Sequence, residues 1–356
     1  MAAARVNSSV KPQAGFTLVE LAIAVVVIGI TSIMLAPVFG DMLSAQRSAY
    51  VEKHRANNQL IAAAMMNFAA NSTQYGRLPV PYTGAGYTNT IYNPADGSAP
   101  GLALTQALTQ SGISPAEIND DGTTTQNVRI YQRVSSLTQQ VPLYFQSGPL
   151  VTLAYDFGAL YLTACPKSDS TCNPTAATGV PGTSAALTAV NYSTWAATGT
   201  DGPAYLVSSL PIQKQMLATS VQRLEKVRDS LLSYLRAQQV TAAGGDSTNW
   251  YPNQAGAAAA GSLSGGTPGT NQGCRDGWYD LSSGSVLVLP TVGLSAQEFG
   301  TTAWGGSIQY CRDYDPTAAK TPNAAPHYAA IRIHSSVSSG VAPDGGVPGN
   351  NVVLTF

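Results

Sequence analysis

The most pronounced pattern in the sequence is a long apolar run close to the N-terminus. No charged residue occurs from Leu21 to Gly40, where Ile, Val, Leu, Ala and Met prevail. Counted from Phe16, this run has about the 20 residues that a membrane-spanning helix needs. The pattern therefore predicts a helix over residues 16–70 whose segment 16–39 is transmembrane.

Beyond Pro37 the same helix becomes amphipathic, since charged and apolar residues recur at spacings of about three and four. Such a pattern is expected of a helix that is half embedded in its own globular domain. We expect the helix to end near Asn71, before Gly76 and Pro79. Pro37 lacks a backbone donor, so it should kink or locally melt the helix, a break that a membrane helix tolerates.

A second amphipathic helix is predicted over residues 211–240. Pro211 opens it, and Gly244-Gly245 follow its end. This helix either packs on its own domain or offers its apolar stripe to a coiled-coil partner. The stripe consists of Leu217, Val221, Leu224, Val227, Leu231 and Leu235.

The segments that follow the two helices resemble each other. In both, an aromatic residue and a proline come after the helix, then a Gly-x-Ser-x-x-Glu segment, then a short segment that ends on tyrosine. This order indicates two heads, 71–205 and 206–356, each a helix packed on a small antiparallel sheet. Chance similarity in a chain rich in Ser, Thr and Gly is the alternative. The compared segments are 74–81, 112–118 and 128–131, and 249–253, 293–299 and 307–310.

Strands are predicted where β-branched or apolar residues are bounded by Gly, Pro, Ser or Asn. Together with the two helices they predict an α+β fold. The stretches 173–203, 241–273 and 336–350 are rich in Gly, Pro and Ala and should be exposed loops. The strand candidates are 150–154, 159–163, 285–289, 329–334 and 351–356.

Charge is sparse along the whole chain. Only 10% of the residues are Asp, Glu, Lys or Arg, and the formal net charge is −1. A nucleic-acid-binding protein would carry a basic patch or stripe. We therefore expect no nucleic-acid partner.

The four cysteines form no C-x-x-C pair, which disfavours a redox motif or a zinc ribbon. Because the N-terminus implies export, two disulfides are expected. We favour Cys165–Cys172 and Cys274–Cys311, since each pair then closes inside one half of the chain. Pairing between the halves stays open.

The leader, the glycine and the apolar helix follow an order that distinguishes them from an ordinary secretory signal peptide. Such a peptide has a shorter apolar region, and the small residues that mark its cut follow that region. Here Gly15 precedes the apolar run. Residues 11–40 closely resemble the class III signal of type IV prepilins and type II secretion pseudopilins, a resemblance that rests on the run Gly15-Phe16-Thr17-Leu18-Val19-Glu20.

This resemblance implies that a membrane peptidase cuts between Gly15 and Phe16, removes the leader 1–15 and methylates the new amine of Phe16. A carboxylate inside an apolar stretch costs about 3 kcal/mol unless it is paired. Glu20 is therefore expected to pair with the amine of Phe16 on a neighbouring subunit, as the resemblance also implies. A glutamate placed near the membrane interface is the alternative. A proline at the position of Pro37 is common in the family, where it would serve repacking during assembly.

The charged residues of the leader, Arg5 and Lys11, should stay on the cytoplasmic side, which leaves the heads outside the inner membrane. The resemblance then implies two kinds of partner: prepilin peptidase, and other pilin or pseudopilin subunits. It implies a minor subunit that joins, primes or caps a type IV pilus or a type II secretion pseudopilus, in the periplasm or at the cell surface. The alternatives are a tip adhesin that binds a surface or glycan, and an enzyme tethered to the membrane.

No motif of a catalytic, cofactor or metal site occurs in the sequence, so we do not expect an enzyme. His54 lies in the charged part of the first helix and should be solvated. His327 and His334 flank a predicted strand and should lie on its opposite faces.

Two further groups of residues each allow two interpretations. The stretches 119–122 and 344–346 place Asp beside Gly and could bind calcium, although ordinary turns explain them better. The aromatic residues Trp278, Tyr279 and Trp304 either bind a sugar or protein partner or belong to the core.

Overall fold

The fold belongs to the predicted α+β class: a long N-terminal helix is followed by two antiparallel sheets and a second long helix. By its packing the chain divides into two units, Met1–Ala56 and Asn57–Phe356, and the second unit contains both sheets. The structure, a computed structural model, describes residues 18–71, 73–81, 108–113, 127–144, 147–166, 186–198, 200, 202–242, 248–254, 271–275, 277–317, 325–345 and 347–356.

The first helix, α1, runs from Leu18 to Ala70, which confirms the predicted end near Asn71. In its last turns, apolar residues four apart point to one side, and Ile61 and Met65 are completely buried there. They belong to one hydrophobic cluster with residues of the first sheet. The end of α1 is thus part of the core of the second unit.

The first sheet is antiparallel and has the order β1-β2-β3. The two strands predicted at 150–154 and 159–163 are both parts of β2, which forms a long hairpin with β1. The strands are β1 (Asn127–Tyr144), β2 (Ser147–Pro166) and β3 (Tyr205–Ser208).

The second long helix, α2, runs from Leu210 to Thr241, which confirms the helix predicted at 211–240. Pro211 lies in its first turn, where no amide donor is needed. The apolar face of α2 is buried in a cluster that contains residues of the second sheet and of the β1–β2 hairpin. The chain's own core therefore uses this face, in place of a coiled-coil partner. The buried apolar residues of the helix in this cluster are Leu217, Leu224, Val227 and Leu231.

The second sheet is also antiparallel, with the order β4-β5-β6-β7. The strands predicted at 329–334 and 351–356 are confirmed as β6 and β7. The strands are β4 (Tyr279–Asp280), β5 (Gln309–Cys311), β6 (Ala330–His334) and β7 (Asn351–Thr355).

The strand predicted at 285–289 is wrong, because this stretch is a turn that leads into the short helix α3 (Val288–Thr291). Pro290 cannot donate to a sheet ladder but is tolerated in the first turn of a helix. Another short helix, α4 (Ala296–Phe299), follows. Although β-branched residues in this stretch favour a strand, its proline favours a helical turn, and the turn forms.

Of the predicted loops, 336–350 contains two 3₁₀ turns, Val337–Ser339 and Pro348–Asn350. Most of 173–203 and 241–273 lies outside the described residues.

The similarity between the two halves of the sequence has a counterpart in two glycine turns. The amides of Gly112 and Gly293 each donate to the carbonyl three residues earlier, at 2.9 and 3.0 Å. The next amide in each turn donates to the carbonyl five residues earlier, at 3.2 and 2.9 Å. Both glycines have positive φ angles, 86° and 77°, so both turns are Schellman motifs that a residue with a Cβ would strain.

The two tyrosines of the similar segments make the same contact. The hydroxyl of Tyr131 donates to the carbonyl of Pro79 at 2.9 Å, and that of Tyr310 donates to the carbonyl of Pro252 at 3.1 Å. The arginine two positions after each tyrosine donates to the carbonyl just before the same proline, at 2.6 and 2.9 Å. Burial raises the pKa of Tyr131 far above its usual value, so its phenol keeps the proton that it donates.

The strands follow the same order in the two halves, because β1-β2-β3 and β5-β6-β7 are both consecutive antiparallel neighbours. The halves nevertheless share a core, since Leu143, Val151 and Leu153 of the β1–β2 hairpin cluster with α2 and the second sheet. The division into two heads, 71–205 and 206–356, stays a prediction; what supports it is the repeated local geometry.

A buried glutamine of α2 connects the two halves. Gln213 is 0% exposed. Its amide nitrogen donates to the carbonyls of Tyr75 and Gly76, just after α1, at 2.9 and 3.0 Å. Its amide oxygen accepts a hydrogen bond from the indole of Trp304 at 2.7 Å. This one side chain therefore connects α2 both to the turn that follows α1 and to Trp304 in the second half of the chain.

The disulfide Cys274–Cys311 is present and completely buried, with a sequence separation of 37. It is one of the two favoured pairs. For the other pair, the side chain of Cys165 and the whole of Cys172 lie outside the described residues. That pairing stays a prediction.

The contacts of Gln213 make it a specific test of how the halves are joined. Replacing Gln213→Leu leaves the buried indole of Trp304 and two carbonyls without their partner, so the free energy of unfolding should fall by about 2–4 kcal/mol. Denaturant unfolding of the purified chain measures this loss. Gln215→Leu, at an exposed position of the same helix, is the control and should change stability by less than about 0.5 kcal/mol. Equal losses in the two variants would contradict the assignment.

Candidate functional site

The N-terminal part of α1 is an exposed apolar surface. In this part of the helix each large apolar side chain is about half exposed or more, from 48% for Leu35 to 76% for Ile33. Among the described residues, α1 is the one helix that is long and apolar enough to cross a membrane. At a rise of about 1.5 Å per residue, the uncharged run of Leu21–Gly40 spans about 30 Å, the thickness of the hydrocarbon core of a bilayer.

The apolar surface surrounds the helix and does not form a stripe, because residues at every helical position between Leu21 and Phe39 are exposed. A helix that is apolar on all sides is stable only inside a membrane or among other apolar helices. Monomeric proteins rarely leave contiguous apolar patches of this size in water. This part of α1 is therefore a surface for lipid or for other helices.

The hydroxyl of Thr31, within this apolar surface, is satisfied within the helix. The hydroxyl of Thr31 donates to the carbonyls of Val27 and Ile28, at 2.9 and 3.0 Å. Such bonds to the preceding turn remove the cost of placing a hydroxyl in an apolar environment.

α1 is continuous through Pro37, so the local melting expected at this residue is absent from the helix. Proline has no amide hydrogen, and the carbonyl of Ile33 therefore lacks its usual donor. The remaining bonds of the surrounding turns are enough to keep the helix unbroken at one such gap.

The residues of the predicted cleavage and docking chemistry are only partly described. Gly15 and Phe16 lie outside the described residues, and so does the side chain of Glu20, whose backbone belongs to the first turn of α1. The cut after Gly15, the methylation of Phe16 and the pairing of Glu20 with the amine of Phe16 stay predictions.

The histidines are placed in local contacts. His54 is only 9% exposed, and its ring lies edge-on to that of Tyr50, with 4.2 Å between the ring centroids. The expectation that His54 is solvated is therefore wrong, and the ring of Tyr50, one turn earlier on the same helix face, contributes to its burial. His334 accepts a hydrogen bond at Nδ1 from the amide of Ser336, at 3.0 Å.

The turn around Asp344 uses its carboxylate for local bonds. One oxygen accepts from the amide of Val347 at 3.2 Å, and the other from the side chain of Asn350 at 3.3 Å. This is the ordinary turn chemistry of aspartate. No group of three or more His, Cys, Asp or Glu side chains is placed to hold a metal ion in the described part of the chain. The stretch 119–122 lies outside it.

The aromatic residues considered for sugar binding belong to the core. Trp278 and Trp304 are 0% exposed and Tyr279 is 7% exposed. The guanidinium of Arg332 covers the ring of Trp278, 4.4 Å from its centroid, and burial lowers the pKa of Arg332 to about 10. A sugar ring therefore cannot stack on these aromatic faces.

The buried carboxylate of Asp156 was missed by reasoning from the sequence. It is 0% exposed, forms an ion pair with Arg77 at 2.8 Å and lies 3.6 Å from Arg133. The amides of Leu78 and Ser136 donate to it at 3.0 and 3.1 Å. These partners make it a structural group, which holds the turn after α1 against the first sheet. The one signal in the sequence was that Asp156 is a polar residue within an otherwise apolar strand.

The comparisons with known proteins concern the N-terminal segment. Residues 10–36 match the family model of the prokaryotic N-terminal methylation motif. No curated protein and no solved structure matches the chain. The matched segment contains the glycine, the following aromatic residue and the first turns of the exposed apolar helix. The chain therefore carries, at residues 10–36, the prepilin-type signal that characterises type IV pilins and pseudopilins.

Proposed function

We propose that the chain is a minor pilin or pseudopilin subunit. It inserts into the inner membrane, is processed by prepilin peptidase and joins, primes or caps a type IV pilus or a type II secretion pseudopilus. The observation that carries this proposal is an uncovered apolar α1 that begins within a matched methylation motif. A helix of this kind can leave the bilayer only if other apolar helices replace the lipid.

The disulfide supports a head outside the cytoplasm. Cys274 and Cys311 form a bond that persists in oxidising compartments such as the periplasm and is rare in the cytosol. The leader agrees with this topology, because its positive charges, Arg5 and Lys11, favour the cytoplasmic side. The partners in this proposal are prepilin peptidase, neighbouring pilin or pseudopilin subunits and the inner membrane.

The size of the second unit favours a minor subunit. Residues 57–356 form one compact unit with two sheets, which would crowd a helical array if it were repeated at every position. The proposed role is structural; in agreement with it, Asp156, His54 and His334 make contacts within the chain. Trp278, Tyr279 and Trp304 are buried, so a tip adhesin, the alternative, would have to bind its surface or glycan through other residues of the second head.

Processing is tested by intact mass. When the full chain is expressed with an active prepilin peptidase, it should lose residues 1–15 and begin at a methylated Phe16. Gly15→Leu should keep the leader, because a bulky side chain replaces the smallest residue beside the scissile bond. An unchanged mass of the wild-type chain in the presence of the peptidase would refute the proposed processing.

Assembly is tested by the charge of Glu20. Glu20→Ala should leave cleavage and membrane insertion unchanged but remove the partner of the terminal amine. An unpaired charge in an apolar environment costs about 3 kcal/mol, so the amount of the subunit recovered in filaments should fall about 100-fold. Quantitative mass spectrometry of sheared filaments measures this loss. Glu52→Ala, which removes an exposed glutamate further along α1, is the control, and unchanged recovery of the Glu20 variant would contradict the pairing.

A further inference from the structure

An apolar groove lies in the second unit between α2 and the end of the β1–β2 hairpin. Its volume is about 650 Å³. Residues 141–144 of the hairpin form one wall, and Ala218 and Val221 of α2 form part of the other. Leu150, which pairs with Pro142 across the hairpin, is also an apolar residue with an exposed side chain, at 56%. All the lining residues belong to the hairpin and to α2.

The helix wall of the groove has opposite charges at its two ends. Lys214 lies at one end and Glu225 at the other, which places them about 16 Å apart along α2. Neither side chain has an ion-pair or hydrogen-bond partner within the residues that the structure describes. Arg228 lies close enough to Glu225 to interact electrostatically, but its guanidinium is paired with Asp229 at 2.9 Å. Both ends of the groove therefore offer a charge to an incoming surface.

We propose that the occupant of this groove is the α2 helix of a second copy of the chain, so that each copy places its α2 in the groove of the other and the two helices lie antiparallel across a two-fold axis. A two-fold contact requires a self-complementary surface. Lys214 of each copy then faces Glu225 of the other, because the axis passes through the midpoint of this stretch. The same register places the small Ala218 against the larger Val221, which lets the two helices approach closely.

The expected contact is weak. It covers about three turns of α2 and the neighbouring hairpin residues, which is less than the roughly 800 Å² per partner of a stable complex. Its charge pairs fix the register and the antiparallel direction more than they add affinity. Association should therefore depend on concentration and increase where copies are held close together. The contact concerns the head alone and does not depend on the proposed filament role.

The test is a charge exchange measured by sedimentation velocity of the full chain in detergent, over a range of concentrations. The wild-type chain should be in equilibrium between one and two copies. Lys214→Glu or Glu225→Lys alone places like charges together at both ends of the contact and should weaken association about tenfold. The double variant K214E/E225K exchanges the charges and should restore association to within about threefold of the wild type. Lys226→Glu, an exposed lysine of α2 outside the groove, is the control and should leave association unchanged.

Three results would overturn the proposal: a single copy at all concentrations, association that neither single reversal weakens, or a double variant that fails to recover. The second result would assign the contact to another surface, such as α1 within the micelle. Thermal unfolding of each variant separates a lost contact from a lost fold, because exposed charge changes should alter stability by no more than about 0.5 kcal/mol.

Discussion

The exposed apolar part of α1 imposes a condition that the rest of the molecule has to meet. The helix is 53 residues long, yet the compact unit that follows begins only at Asn57. The large apolar side chains between Leu21 and Phe39 are exposed, so lipid or other helices have to cover them. The remaining residues must then form a body that is stable without burying the first part of α1. This separation between an uncovered helix and a self-sufficient head is what a subunit needs if it passes from a bilayer into an assembly.

The head meets this condition by joining two small motifs around one core. The strands β5 and β6 are only three and five residues long, and a helix on such a small sheet is marginal alone. The core of the second half is completed by Leu143, Val151 and Leu153, which come from the long hairpin of the first half. Gln213 adds the polar connection, since its amide is shared between the turn after α1 and Trp304. Two similar motifs thus become one unit.

Two buried charged side chains, Asp156 and Arg332, connect separate segments of this unit, and both are hydrogen-bonded. Asp156 receives the guanidinium of Arg77 and two backbone amides at the turn after α1. In the second half, Arg332 is 1% exposed, stacks on Trp278 and donates to Gln309 at 2.6 and 2.8 Å. A buried charge without such partners would be strongly destabilising. Asp156 therefore positions the turn after α1, and Arg332 connects the neighbouring strands β5 and β6 with Trp278.

The sequence by itself determined the features whose physical cause is local. Helices α1 and α2 follow from periodicity, and the start of α2 follows from Pro211. The prepilin-type signal follows from the order of leader, glycine and apolar run, which an ordinary signal peptide does not have. One disulfide was also found, because Cys274 and Cys311 lie within one half of the chain.

The tertiary structure alone decided the features that depend on residues far apart in the sequence. Asp156 and Gly158 interrupt the apolar pattern of β2, so one strand was predicted as two; the interruption is tolerated because Arg77 and Arg133 neutralise the carboxylate. The apolar surfaces of Trp278 and Trp304 gave no sign of whether solvent or core would cover them. The groove beside α2 joins residues 141–144 to a helix that begins at Leu210. Local patterns specify what a segment can form, whereas burial and pairing are properties of segments that meet only in the folded chain.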